Sequence, residues 1–185
     1  MLFFLFLLAS VFVALVTQEF VPPLPWLHGA RIFLMPIVFF YGALVLPSWL
    51  MLALAFCTGF MWDALVAAHA VDSVIEIPLG WSIVFYAAFG AIMSGFRPLY
   101  QRGHGWEIHC LMCGPLISLF VLAEFLMITF RRGEFLFPQV IWWRIGGAGL
   151  IAIVIAPVVY FIMHSFAVSF GWAATRHERR KAVSA

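Results

Sequence analysis

The sequence predicts an all-α, polytopic membrane helical bundle of about six transmembrane helices, and three observations carry that expectation. Hydrophobic residues make up 65% of the chain and charged residues 10%, whereas a soluble domain carries about 25% charge. Mean hydropathy is +1.09. The 185 residues leave room for about six apolar spans of roughly 20 residues with short connections, and none for a separate soluble domain of ordinary size. Residues 1–170 therefore read as a single transmembrane domain and 171–185 as a short basic tail. A net charge of +2 is too small to imply nucleic-acid binding, and the basic residues read better as topology markers.

Taken in order, Leu2 to Val16 is uncharged, with no basic segment before it and no Ala-x-Ala cleavage site after it. It reads as a retained first span and not a signal peptide. Thr17 to Arg31 holds Pro22, Pro23, Pro25 and Trp26, and its prolines make it a stiff loop. Ile32 to Leu46 is apolar but only just long enough, and Pro36 inside it predicts a kink or a shallow second span. After the turn Leu46-Pro47-Ser48, the third span runs from Trp49 to about Ala68 and contains Gly59 and Asp63. An ionisable side chain inside an apolar run points to function by default, because a charge in lipid costs several kcal/mol unless paired or wetted. The connection from His69 to Ile77 carries Asp72 and Glu76 and no Lys or Arg.

The fourth span, Pro78 to Phe96, places Ala87, Ala91 and Gly95 at four-residue spacing. Such a small-xxx-small face lets helix backbones approach closely in lipid, within the bundle or with a partner. A polar turn from Arg97 to Gly105 leads to the fifth span, Trp106 to Phe130, with Glu124 deep inside it. The last span, Val140 to about Phe170, has Arg144 near its start, a second small ladder at Ala148, Ala152 and Ala156, and a bend expected at Pro157. With six spans both ends share one side. That side holds Arg97, Arg102, Arg176, Arg179, Arg180 and Lys181, against Arg31, Arg131 and Arg132 on the other, so both termini are expected in the cytoplasm. Counting about 1.5 Å per residue along the spans puts Asp63, Glu124 and Arg144 at matching depth in the outer half of the bundle. The expectation is one polar cluster, with Arg144 neutralising a carboxylate, most simply Glu124.

Familiar chemical motifs are missing from the sequence. Cys110-Leu-Met-Cys113 has the spacing of a zinc or redox pair but lies on an apolar helix without a second Cys pair, so packing is the expected role and no metal is assigned. His109 with Glu107 sits at the expected mouth of a span, where interfacial polar residues are ordinary. No nucleophile elbow, phosphate loop or His-Glu-x-x-His motif occurs, and neither enzymatic activity nor a cofactor is expected.

Three segments together resemble a known family. Gly59-Phe-Met-Trp-Asp63-Ala-Leu, Pro78-Leu79-Gly80 at the start of an apolar helix, and Ala123-Glu124-Phe125-Leu126 in the penultimate span resemble the bacterial rod shape-determining protein MreD. Gly59, Asp63, Leu79, Gly80 and Glu124 carry the match, and the gap from Ala64 to Ile77 is longer than the family's usual pattern. The resemblance implies a non-enzymatic, multi-pass component of the bacterial inner membrane that regulates cell shape and side-wall peptidoglycan synthesis. Its partners would be a bitopic MreC-like protein, the actin-like MreB, and RodA with its penicillin-binding transpeptidase, along with membrane lipids. The alternative of a different class is a substrate-binding subunit of an energy-coupling-type vitamin transporter, which requires a pocket with convergent polar groups.

Overall fold

The computed structural model describes residues 2–27, 29–69, 80–133 and 137–172. They form an all-α membrane bundle of six principal helices: α1 (Leu2–Phe20), α2 (Leu34–Val45), α3 (Ser48–His69), α4 (Trp81–Gly95), α5 (Gly105–Arg132) and α6 (Gln139–Ser169). The acidic connection with Leu79, and the basic tail, lie outside the described residues. Four helical stretches are long and apolar enough to cross a membrane: Leu2–Phe20, Ser48–Ala67, Arg97–Arg131 and Gln139–Ser169. The other two helices, α2 with 12 residues and α4 with 15, measure about 18 and 22 Å, short of a core roughly 30 Å thick.

The short α2 is the axis of the fold. Every residue from Met35 to Leu44 is buried, the mark of a helix that is apolar all round and enclosed by others. It touches α1, α3, α4, α5 and α6. Of the kink or shallow span that Pro36 left open, the structure has the short helix, and it starts beside the proline. Pro36 is the third residue of α2, where its missing N–H would have had no partner inside the helix. The neighbouring Met35 N–H is taken by Gln18 Oε1 of α1 at 3.2 Å.

The other end of α2 is closed by Arg97, from the helical turn Arg97–Leu99 that follows α4. Its Nε donates to the Leu44 carbonyl at 3.2 Å, and its Nη2 donates to the Ala43 carbonyl at 3.4 Å and to the Leu46 carbonyl. A cation set on these orphan carbonyls satisfies them and faces the negative end of the helix dipole.

Two close crossings hold the flanking helices. A Cβ on Gly114 of α5 would fall 2.5 Å from Ile153 Cγ1 and 3.1 Å from the Gly149 carbonyl oxygen of α6, so these helices meet at paired glycines. Ala148, Ala152 and Ala156 are buried along the same helix. The second crossing joins α3 to α4 and positions the candidate site.

Candidate functional site at the junction of three helices

Gly59 faces α4 so closely that backbone meets backbone. A Cβ there would lie 2.5 Å from both the Cα and the N of Ile83, and 2.8 Å from the carbonyl carbon of Ser82. Only glycine fits without moving a helix. Four residues on, and so on the same face of α3, the Asp63 carboxyl accepts the Gly80 N–H at 2.6 Å. Gly80 caps α4 with φ 100°, a left-handed conformation that glycine takes without a Cβ penalty. The carboxyl satisfies an orphan donor of the helix and meets the positive end of its dipole. Asp63 is 5% exposed, and this bond explains how an acid is tolerated there.

The residue beside it makes the third connection. Trp62 Nε1 donates to Glu124 Oε1 of α5 at 2.8 Å. The indole is held between Phe33, with ring centroids 5.9 Å apart, and Phe120, at 5.7 Å. Adjacent residues of α3 therefore latch it to two neighbours, Asp63 to α4 and Trp62 to α5. The two carboxyls are near enough to act on each other, and the charge of Arg31 also reaches Glu124. Tyr86 lies within reach of both acids. Its buried hydroxyl has no hydrogen-bond partner among the described residues, the kind of group that ordered water commonly satisfies.

The sequence expected Arg144 in this cluster; the structure places its guanidinium beside Gly29. Arg144 is exposed, and its Nη2 is 3.5 Å from where a Cβ on Gly29 would stand, in the loop closed by the Leu24–Ala30 bridge. On α6, Trp142, Trp143 and Arg144 are exposed, whereas Ile145, Gly147 and Ala148 are buried.

The small residues of α4 follow the same logic. Ser82, Tyr86, Gly90 and Met93 form the buried face of α4, while Ala87 is half-buried and Ala91 and Gly95 are exposed. Packing of the Ala87, Ala91 and Gly95 face inside the bundle is thus replaced by packing at Gly90. A Cβ on Gly90 would lie 2.7 Å from Met51 Sδ and 2.9 Å from Phe39 Cζ.

His109 is also moved from its expected setting. It is fully buried, and its Nε2 donates to the Ile37 carbonyl of α2 at 3.1 Å. Cys113 Sγ lies 3.6 Å from the same nitrogen. No sequence signal distinguished His109 or Arg97 from interfacial residues. The adjacency of Trp62 to Asp63 was the one hint that a second latch existed.

Trp62 also lines a crevice of about 90 Å³, together with Gln18, Glu19, Arg31 and the prolines 22 and 23. Small-molecule sites commonly occupy about 300–1,000 Å³. The two carboxyls of the junction are engaged by a backbone N–H and an indole N–H, bonds that join α3 to α4 and to α5. Among the described residues no group of three or more His, Cys, Asp or Glu side chains could hold a metal ion. No family model, curated protein or solved structure matches the chain.

Proposed function

We propose that this chain is a non-enzymatic membrane component of the bacterial machinery that directs side-wall peptidoglycan synthesis and rod shape, similar to MreD. It would lie in the inner membrane with both termini in the cytoplasm. One observation supports this reading above others: Gly59, Asp63, Gly80 and Glu124, the described positions that carry the resemblance, meet at one junction of α3, α4 and α5. Residues that a family pattern would select independently thus serve a single physical purpose, the locking of three helices into a rigid body. The outward face at Ala91 and Gly95 supplies what such a body needs to work by association, a surface that a partner's transmembrane helix can approach closely.

In this reading the partner at that face is the single span of an MreC-like protein. MreB, RodA and its penicillin-binding transpeptidase join through the assembly, and the basic tail faces the filament or anionic lipid. The vitamin-binding alternative is disfavoured by the small volume of the polar crevice. Co-purification from membranes with an MreC-like bitopic protein tests the proposal, with Ala91→Leu as the discriminating variant. Wild type should retain the partner, and the variant should lose it while keeping its helicity and thermal stability. Retention by both would remove this face from the interaction. Tight binding of a vitamin in a thermal-shift screen would favour the alternative.

A further inference from the structure

Two carboxyls meet at the three-helix junction, and each takes one hydrogen bond from the described residues. Asp63 Oδ2 accepts the Gly80 N–H and Glu124 Oε1 accepts the Trp62 indole N–H. An ionised carboxylate has lone pairs for about four such bonds, so most of their capacity is unspent.

A third oxygen is directed toward them. Tyr86 is 1% exposed, and its hydroxyl has no hydrogen-bond partner among the described residues. Phe120, one turn before Glu124 on α5, packs against the Tyr86 ring at 5.4 Å and against the Trp62 indole at 5.7 Å. Helical side chains lean toward the N-terminus of their helix, so the phenol is carried back toward the Gly80 end of α4, where Asp63 is bonded. Glu124 and Asp63 are the two acids whose charge acts on it.

Charge and donor type decide what belongs there. Carboxylate, phenol and water are oxygen ligands, which select hard cations. Two carboxylates against Arg31, whose charge also reaches Glu124, leave one negative charge, and the N-terminus of α4 offsets only about half a unit of it. A monovalent ion suits that balance. Calcium takes about six to eight oxygens and magnesium a near-ideal octahedron, more than two carboxyls and a phenol supply. Trp62 and Arg31 also line the crevice of about 90 Å³, which has room for several waters and gives a hydrated ion an approach to the indole that holds Glu124.

We propose that Asp63, Glu124 and the Tyr86 hydroxyl, with water, bind one alkali cation where α3, α4 and α5 meet. The inference is independent of the role in cell elongation. Thermal unfolding of the full chain in detergent micelles, titrated with sodium chloride while choline chloride holds the ionic strength constant, tests it. The midpoint should rise and saturate, by about 3–6 °C at roughly ten times the half-effective sodium concentration. Glu124→Gln keeps an acceptor for the indole but removes the charge, and should abolish the rise. Should that variant fold poorly, two milder ones decide. Tyr86→Phe removes only the hydroxyl and should raise the half-effective sodium concentration about tenfold. Arg31→Gln removes an opposing charge and should lower it severalfold, a gain that lost packing cannot produce. Equal midpoints in sodium and choline, an undiminished rise in Glu124→Gln, an unchanged half-effective concentration in both Tyr86→Phe and Arg31→Gln, or calcium acting at lower concentration than sodium would each overturn the proposal.

Discussion

Gly59→Ala tests the three-helix junction with a single methyl group. The new Cβ would stand 2.5 Å from Ile83 Cα and N, where ordinary contact begins at 3.4 Å, so α3 and α4 must separate by about 1 Å at their crossing. One turn away, the 2.6 Å bond between Asp63 and the Gly80 N–H would stretch beyond the roughly 3.2 Å limit of a good hydrogen bond. Overpacking costs about 1–3 kcal/mol. Loss of a hydrogen bond involving a charged group costs a further ~1.5–3 kcal/mol. Alanine's better helix propensity returns about 0.5–1 kcal/mol, leaving a net loss of about 1.5–5.5 kcal/mol out of a total stability of roughly 5–15. Reversible unfolding in mixed micelles, followed by circular dichroism, would measure it. Gly95→Ala is the control, since a Cβ at Gly95 meets nothing within 4 Å, and it should be neutral or stabilising by up to about 1 kcal/mol. Wild-type stability in Gly59→Ala, or equal damage from the two variants, would refute the backbone contact.

Further consequences follow from the other latches. Trp62→Phe keeps a ring between Phe33 and Phe120 but removes the donor to Glu124, and should cost about 1–3 kcal/mol. Adding Glu124→Met should recover much of that loss, and strict additivity in the same unfolding assay would argue against the bond. Arg97→Ala strips the cap from the Ala43, Leu44 and Leu46 carbonyls and should cost about 1.5–3 kcal/mol, with Arg97→Lys restoring only part because one ammonium cannot match the fork. Hydrogen exchange should rise at the turn joining α2 to α3, and unchanged protection of the Leu46 amide would contradict the capping role. His109→Leu releases the Ile37 carbonyl and should lower stability by about 1–3 kcal/mol; unchanged stability would show that carbonyl to be satisfied otherwise.

Four of the helices were legible because lipid demands long apolar runs, and the break at Pro47 is local chemistry that a sequence displays directly, whereas the shortness of α2 and α4 was not. The nearness of Asp63 and Glu124 was legible in part, as rise per residue along their spans brought them to one level. Direction around the helix was not. The long α6 is apolar on nearly every side, so no amphipathic contrast told which way Arg144 points, and the same blindness affected Ala91 and Gly95 on α4. Long-range backbone capping was hidden for a different reason. Arg97 reaches carbonyls more than fifty residues earlier, at Ala43 and Leu44, and its sequence neighbours mark it only as a basic residue at a helix end. Pro36 left a kink and a short helix both open because its effect depends on where the helix begins, and α2 begins two residues before it.

Depletion of the protein in a rod-shaped bacterium, with cell width and length followed by microscopy, tests the proposed function most directly. Progressive rounding, reversed by the wild-type chain but not by Gly59→Ala at equal membrane abundance, is the expected result. Cells that keep their rod shape through depletion, in a host with no second copy of the gene, would contradict a role in cell elongation.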